Sequence, residues 1–310
     1  MDMPSLKQIS LLSVYYFWLN MALVSITSVS DSGRYYALEE KVGSGAQGEV
    51  FRGHDINRPK LRVAVKYAKP LQDNSALNRA NSRIMREAGF LMNIKDPRVV
   101  RYKDVCTQNK PFIVLEYIPL TLANVPVTQQ VIMDYIEQIP GLLSLLQEQN
   151  IAHCDLKRDN LGYVQRIVKL LDFGLAIPFE HAVMYPKKAK KIHQAPEFRD
   201  YDWVTRTSDT YSAGRVLEHL VTGTNVRTVK EFRQNLAKVS TDLPESFVQL
   251  CKSLMQNEYL HRPTVKKMPF LVSDALRDLS KKEYFSFRAS VPLADAPLHF
   301  WGSASSSSSE

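Results

Sequence analysis

The loop at residues 153–160, HCDLKRDN, and the run LDFG at residues 171–174 constrain this chain more than any other part of it. Two apolar stretches flank a short turn between them, so the sequence predicts a β-hairpin bounded by two loops. The hairpin would hold Asn160 close to Asp172. An oxygen pair of that kind suits Mg²⁺, which keeps part of its water and shares its other sites with phosphates. Asp155 is left to contact a hydroxyl group.

This spacing resembles the catalytic loop and the magnesium loop of eukaryotic-type protein kinases, H-R-D-L-x-x-x-N followed by D-F-G. The resemblance implies that Asp155 orients the acceptor hydroxyl and that Lys157 contacts the γ-phosphate of ATP. It also implies that Asn160 and Asp172 hold Mg²⁺. The D-L-K form of the loop is the one found in serine/threonine kinases. Kinases of small molecules share the Asp and Asn spacing, so the assignment needs support from other parts of the chain.

A glycine-rich run at residues 43–48, GSGAQG, lies between two segments with strand character, 36–42 and 49–53. With Val50 it fits G-x-G-x-x-G-x-V, in which glycines let the backbone approach phosphates. Three glycines in six residues also build an ordinary tight hairpin. The strands on both sides exclude the strand-to-helix context of a dinucleotide fold. The resemblance assigns nucleotide contacts to Gly43, Ser44, Gly45, Ala46, Gln47, Gly48, Val50 and Ala64.

The run VAVK at residues 63–66 predicts a strand, and the resemblance implies that Lys66 holds the α- and β-phosphates of ATP. Residues 75–93 have helical periodicity. The apolar stripe of this helix is expected to consist of Ile84, Ala88, Leu91 and Met92. Glu87 lies on the neighbouring face, where the family places a glutamate that pairs with the strand lysine. The alternatives are Glu39 or Glu40 as that partner, or a surface position for Glu87.

Two more strands are predicted at residues 99–105 and 112–117, which together suggest a small five-stranded sheet with one helix. The run LEYI at its end resembles the hinge between kinase lobes. The resemblance implies that backbone groups of Glu116 and Ile118 meet the adenine edge, and that Leu115 limits the depth of the pocket.

The remainder is mainly helical, with predicted helices at 129–149, 230–237, 245–255 and 265–279, the first kinked at Pro140 and Gly141. The run APE at 195–197 matches a family motif whose glutamate, here Glu197, pairs with an arginine at the position of Arg262. Asp209 resembles the aspartate that ties down the catalytic loop. His153 and Phe173 are expected to pack in a core column with Leu91 and Tyr102.

Several positions depart from the family pattern. Cys154 replaces the arginine that receives a phosphate on the activation loop, and residues 175–194 contain no serine or threonine, their only hydroxyl being Tyr185. We therefore expect activity without loop phosphorylation. The threonine that usually precedes A-P-E is also missing, and Gly162 replaces a larger residue on the floor of the adenine pocket, which predicts weaker nucleotide binding. The same loop carries Lys187, Lys188, Lys190 and Lys191, which either attract an acidic or phosphorylated substrate or form a solvated basic loop.

The net charge of +8 does not by itself indicate nucleic-acid binding, and none is predicted. The three cysteines are far apart, so neither a zinc site nor a disulfide framework is indicated, and an intracellular setting is the default.

Residues 8–30 contain no charged side chain, and a membrane anchor is one interpretation of such a segment. Aromatic residues in the middle of this run and polar residues in its second half favour an apolar segment packed on the body. A second interpretation of the setting is a viral or effector kinase that acts in a host cell.

The expected fold class is α+β, a two-lobed protein kinase-like fold. Its expected divisions are an apolar extension (1–35), a kinase domain (36–280, with lobes 36–118 and 119–280) and a largely disordered serine-rich tail (281–310). The leading interpretation is a serine/threonine protein kinase that uses ATP and Mg²⁺ and acts on protein substrates. The alternatives are a kinase-like scaffold with little activity and, disfavoured by the APE motif and its arginine, a small-molecule kinase.

Overall fold

An antiparallel sheet of six strands forms the amino-terminal part of the chain in the computed structural model, in the order β1-β2-β3-β4-β6-β5. The strands are β1 (Ile26–Ser28), β2 (Tyr35–Gly45), β3 (Gly48–Asp55), β4 (Arg58–Tyr67), β5 (Tyr102–Cys106) and β6 (Phe112–Glu116). The structure describes residues 26–28, 32–45, 48–69, 72–107, 110–179, 191, 193–223, 234–235 and 243–284. The expectation of five strands was wrong, because β1 adds to the edge of β2.

The β2–β3 hairpin contains the glycine-rich run, and the close approach of a third strand explains one of its glycines. Gly48 has φ of +152°, and a Cβ built on it would lie 2.2 Å from the carbonyl oxygen of Tyr67 on β4. No side chain fits there without moving backbone. The fold therefore requires glycine at this position, whatever the hairpin binds.

The variant Gly48→Ala is expected to lower the free energy of unfolding by at least about 1–3 kcal/mol, because it combines a strained φ with a backbone clash. Gly89→Ala is the matched control, since Gly89 lies in a helix and a Cβ there would meet nothing within 4 Å. That change should stabilise the protein by about 0.5–1 kcal/mol. Urea denaturation measures both. Equal stability of the two variants would contradict the packing described for Gly48.

Helix α1 (Asn74–Asn93) packs against the sheet, and Asp73 caps its amino end by accepting from the backbone N–H groups of Ser75 and Ala76. The predicted apolar stripe was wrong at one position. Met92 is 49% exposed, whereas Glu87 is buried beside Ile84, Ala88 and Leu91. The buried face of α1 includes Glu87 in place of Met92, because the carboxylate of Glu87 contacts Lys66 on the sheet.

Strand β5 begins later in the chain than the sequence predicts, because the residues between α1 and β5 have other partners. The backbone N–H of Val100 donates to Leu170 O, and the N–H of Leu170 donates to Arg98 O. These residues therefore pair with the carboxy-terminal part of the chain, and β5 begins only at Tyr102. The prediction of a strand from residue 99 was wrong for this reason.

The carboxy-terminal part is mainly helical, so the structure confirms the α+β class. Its helices are α2 (Gln129–Glu148), α3 (Pro196–Tyr201), α4 (Ser208–Thr222), α5 (Glu245–Leu254) and α6 (Met268–Leu279). Pro140 lies inside α2 and does not end it. The helix predicted at 230–237 lies mostly outside the described residues.

Four short strands complete the fold: β7 (Ile151–Ala152), β8 (Leu161–Val164), β9 (Ile167–Leu170) and β10 (Ile177–Pro178). The predicted hairpin is β8–β9, with Leu161 opposite Leu170. Its two turn residues, Gln165 and Arg166, both have positive φ, as a type I′ turn requires. Asp134 on α2 accepts hydrogen bonds from Tyr163 and Arg166, which fixes the hairpin on the helix.

One hydrophobic core runs through both parts of the chain. It contains Leu91 of α1, Leu115 of β6, Ile118 after β6 and Phe173 of the LDFG run, together with the apolar faces of the larger helices. The two loops that carry the candidate site are therefore anchored in the same core as the sheet. In the part of the chain that the structure describes, no helix has both the length and the apolar character needed to cross a membrane. Most of the uncharged segment at 8–30 lies outside that part, as does the serine-rich end.

Candidate active site

A buried lysine joins the sheet, helix α1 and the LDFG run. The Nζ atom of Lys66 on β4 lies 2.7 and 2.9 Å from the two carboxylate oxygens of Glu87 and 2.9 Å from Oδ1 of Asp172. The predicted pairing of Lys66 with Glu87 is therefore present. Glu39, one of the alternatives, is bound by Arg52 and His54 on the same strand pair instead.

The charges of this triad do not balance. Burial lowers the pKa of Lys66, but the charges of Asp172 and Glu87 outweigh burial and raise it above its ordinary value. Burial also raises the pKa of Glu87 to about 7, although Lys66 counteracts it. When Glu87 is ionised, one ammonium group between two carboxylates leaves a net negative charge, which favours a further cation nearby.

The catalytic loop brings Asn160 against Asp155. The side-chain Nδ2 of Asn160 donates to the backbone oxygen of Asp155 at 2.8 Å and to its Oδ2 at 3.1 Å. The backbone oxygen of Asn160 accepts from the N–H of Leu171, which places the amide beside the start of the LDFG run. The predicted proximity of Asn160 to that run thus follows from the hairpin register.

These residues fit a magnesium ion. The Oδ1 atom of Asn160 is buried and has no hydrogen-bond partner among the described residues. A buried oxygen without a donor is costly, and a hard cation held together with Asp172 would satisfy it. Within the described ranges, no group of three or more His, Cys, Asp or Glu side chains is placed to bind a metal. A site with few protein ligands is what Mg²⁺ uses when phosphates supply the rest.

Asp209, at the start of α4, fixes the backbone of the catalytic loop as predicted. Its carboxylate accepts from the backbone N–H groups of His153 at 2.7 Å and Cys154 at 3.0 Å. Cys154 has φ of +63°, a strained value for a residue with a Cβ, and these bonds hold it there. The rings of His153 and Phe173 pack with centroids 5.1 Å apart, so this part of the predicted core column is present.

The second oxygen of Asp155 has two partners that the sequence did not suggest. Its Oδ1 lies 2.8 Å from Nζ of Lys191 and 2.9 Å from Nε2 of His193. Burial alone would raise the pKa of Asp155, but His193, Lys191 and Lys157 outweigh it and hold the pKa well below its usual range. Asp155 is therefore ionised at neutral pH. Only the position of His193 just before the APE motif could have indicated this contact.

The residues assigned to nucleotide contacts lie at one end of the sheet. Gly43 is opposite Val50, and Val50 is opposite Lys66, which places the glycine-rich hairpin beside the buried lysine. Ala64 is opposite Leu115, and both are fully buried. Ser44 and Gly45 are within the described hairpin, whereas Ala46 and Gln47 lie outside the described residues.

The hinge segment packs directly on the β8–β9 hairpin. A Cβ built on Gly162 would lie 2.7 Å from Cγ2 of Ile118 and 3.0 Å from Cδ2 of Leu171. The space beside Gly162 is therefore filled by the side chains of Ile118 and of Leu171, the residue that follows β9. The side chain of Glu116 accepts from Lys169 and from the backbone N–H of Arg101, so it is used to hold the hinge in place.

The predicted ion pair of the APE motif is present and bidentate. Nη1 and Nη2 of Arg262 lie 2.7 Å from the two carboxylate oxygens of Glu197, and Ser208 donates to the same carboxylate. Burial raises the pKa of Glu197, but Arg262 and Ser208 outweigh it and lower the pKa. This pair fixes the segment that carries His193. Tyr185, Lys187, Lys188 and Lys190 lie outside the described residues.

The partly buried His219 on α4 makes the free energy of unfolding depend on pH. Burial and the charges of Arg158 and Arg215 lower its pKa to about 3. A histidine whose pKa is lower in the folded state stabilises the fold above its unfolded pKa of about 6.5, and this contribution is lost as the pH falls. Because the side chain is only partly buried, we expect wild type to lose about 1–2 kcal/mol more than His219→Gln between pH 7.5 and 5. Urea denaturation at both pH values measures this, and parallel losses would contradict it.

Comparisons with known proteins agree with this geometry. Residues 36–272 match the family model described as "Protein kinase domain". MAP3K epsilon protein kinase 1 of Arabidopsis thaliana is 30% identical over 199 residues, which are 60% of this chain and 14% of that protein. The probable serine/threonine-protein kinase drkD of Dictyostelium discoideum is 27% identical over 276 residues, 83% of this chain and 21% of that protein. The chain thus spans less than a quarter of the length of these relatives.

Proposed function

This chain belongs to the protein kinase family, and from that premise we propose that it is a serine/threonine protein kinase. It would transfer the γ-phosphoryl group of ATP to hydroxyl groups of protein substrates. In this proposal Asp155 orients the acceptor hydroxyl and receives its proton as the phosphoryl group leaves ATP. Lys66, positioned by Glu87, and Lys157 contact phosphate oxygens.

The buried Lys66 ammonium, shared between Glu87 and Asp172, is the observation that carries the proposal. This ion-pair cluster joins side chains from β4, α1 and the LDFG run at a position that is almost closed to solvent. Burying charges is costly, so such clusters concentrate at sites with a chemical role. The same triad supports a working kinase over a kinase-like scaffold.

We assign Asn160 and Asp172 to Mg²⁺, which when bound would neutralise charge on the phosphates of ATP. The nucleotide itself is assigned to the hairpin residues Gly43–Gly48 with Val50 and Ala64, and to backbone groups of Glu116 and Ile118. Leu115 would limit the depth of the pocket. The contacts of Asn160 with Asp155 support a single site for metal and acceptor.

We further propose that activity does not depend on phosphorylation of the activation segment. Residues 175–194 contain no serine or threonine, and Cys154 occupies the position where a phosphate-binding arginine is common in the family. Supporting this, Lys66 and Glu87 are already paired, and α3 is held by the Glu197–Arg262 pair. The described end of the segment, at His193 and Gln194, therefore has contacts that need no added charge.

Incubation of the full chain with γ-labelled ATP, Mg²⁺ and a generic protein substrate tests the proposal, with Asp172→Ala run in parallel. We expect label in the substrate with wild type only, and acid hydrolysis should recover it as phosphoserine or phosphothreonine. Label on a small molecule in place of protein would favour a small-molecule kinase. No incorporation by either protein, with ATP binding retained, would favour a kinase-like scaffold.

We also propose the domain boundaries and the cellular compartment of this chain. We place the kinase domain at residues 36–280, with the lobes meeting after residue 118. The three cysteines are free and buried, which suits a reducing, intracellular compartment where ATP is available. The relatives' names describe protein kinases, one of them a probable serine/threonine-protein kinase, and their additional length leaves substrate and pathway open for this chain.

A further inference from the structure

The carboxylate of Asp155 has a donor at each oxygen. Asn160 donates to Oδ2, and both Lys191 and His193 contact Oδ1. The side chain of Asp155 is only 1% exposed, so solvent does not supply further hydrogen bonds to orient it. The rotamer of this carboxylate is therefore set by these partners.

The two partners at Oδ1 differ in how firmly they are held. His193 is a ring with two rotatable side-chain bonds and is 17% exposed, whereas Lys191 has four such bonds and is 32% exposed. An ordered ring loses less conformational freedom when it keeps one position than a long flexible chain does. The imidazole is thus the better fixed of the two donors.

The backbone that carries His193 is docked on the catalytic loop. The neighbouring Gln194 accepts from the backbone N–H of Lys191 at 3.0 Å and donates from Nε2 to the backbone oxygen of Cys154 at 3.4 Å. Ala195 then leads into α3, whose Glu197 is bound by Arg262. His193 consequently lies directly before two anchored residues, and its ring contacts Asp155.

We propose that His193 is a positioning residue for Asp155, holding the carboxylate in the orientation that receives the acceptor hydroxyl. The proposal rests on the proposed kinase function. No proton moves from the imidazole, which donates its Nε2–H to Oδ1 throughout, while the acceptor proton passes to the carboxylate. The acceptor hydroxyl must donate to a lone pair of Oδ1, where Lys191 and His193 both donate in this structure. We expect the hydroxyl to displace Lys191 from this oxygen, while His193 stays bound.

Three variants of the full chain test this role, with kcat and the KM for ATP measured separately. His193→Ala is expected to lower kcat about 10- to 100-fold, because a hydrogen bond to a charged group is lost, while the KM for ATP changes less than about threefold. His193→Gln retains an N–H donor and should restore kcat to within about fivefold of wild type. Lys191→Met should lower kcat less than His193→Ala does.

His261→Ala is the matched control, since His261 is an exposed histidine of the same lobe and its loss should leave kcat unchanged. Melting temperatures and binding of a fluorescent ATP analogue show whether each variant is folded. If His193→Ala does not fold, the comparison of His193→Gln with His193→Leu replaces it.

Wild-type kcat in His193→Ala would overturn the proposal, as would a loss confined to the KM for ATP or a loss equally large in His193→Gln. These outcomes leave the kinase function standing because wild type remains active. An inactive wild type would overturn the proposed function and this inference with it.

Discussion

Asparagine in place of Asp155 is expected to lower kcat for protein phosphorylation by about 10²- to 10⁴-fold, the range typical for loss of a positioned proton acceptor. Asn160, Lys191 and His193 all donate to this carboxylate, and an amide of the same shape keeps only part of those contacts. The Lys66 triad is untouched by the change. ATP affinity, measured by equilibrium binding, should therefore stay within about threefold of wild type.

Asp159→Asn provides the control for this experiment. Asp159 lies in the same loop, is only half-buried, and receives the same chemical change. Its kcat should remain within about threefold of wild type. If Asp155→Asn retained wild-type kcat, or if both variants lost activity equally, Asp155 would not be the residue that contacts the acceptor.

Removal of Glu197 is expected to lower the free energy of unfolding by about 3–5 kcal/mol, because it leaves the buried guanidinium of Arg262 without its counter-charge. The two terminal nitrogens of that group, Nη1 and Nη2, lie 2.7 Å from the Glu197 carboxylate, and the side chain of Arg262 is fully buried. Glu197→Ala and Arg262→Ala should each show this loss in urea denaturation. The double variant should lose less than the sum, because neither charge is then left alone.

Arg277→Ala supplies the contrast with an exposed ion pair. Arg277 lies 2.9 Å from Asp274, but both side chains are more than half exposed. Solvent screens such a pair, so the loss should be below about 1 kcal/mol. Equal effects of Arg277→Ala and Glu197→Ala would show that burial does not govern the strength of the Glu197–Arg262 pair.

Interactions close in sequence were predicted with the best accuracy. The loop that contains Asp155 and Asn160, the β8–β9 hairpin and the LDFG run lie within some twenty residues, and the register of the hairpin follows from its short turn. Lys66 was placed on a strand because the run VAVK at residues 63–66 has strand character. Resemblance to a known family supplied the distant pairs Lys66–Glu87 and Glu197–Arg262.

Errors arose where a distant segment changed the local pattern. Met92 is apolar yet exposed, because α1 turns its Glu87 side toward Lys66. Val99 has strand propensity, but the backbone around it pairs with the end of β9. His193 contacts Asp155 across 38 positions of sequence, and no periodicity connects the two.

The sequence alone determined the order of strands and helices around the candidate site and the residue types that we assign to phosphate and metal binding. These features depend on local spacing, because strand alternation, turn chemistry and helical periodicity act over only a few neighbouring residues. Only the tertiary structure decided that one ammonium is shared by two carboxylates, and that His193 and Lys191 hold the oxygen of Asp155. Such contacts depend on how separate segments pack, since hydrogen bonds and ion pairs act over a few ångströms of space and are independent of separation along the chain.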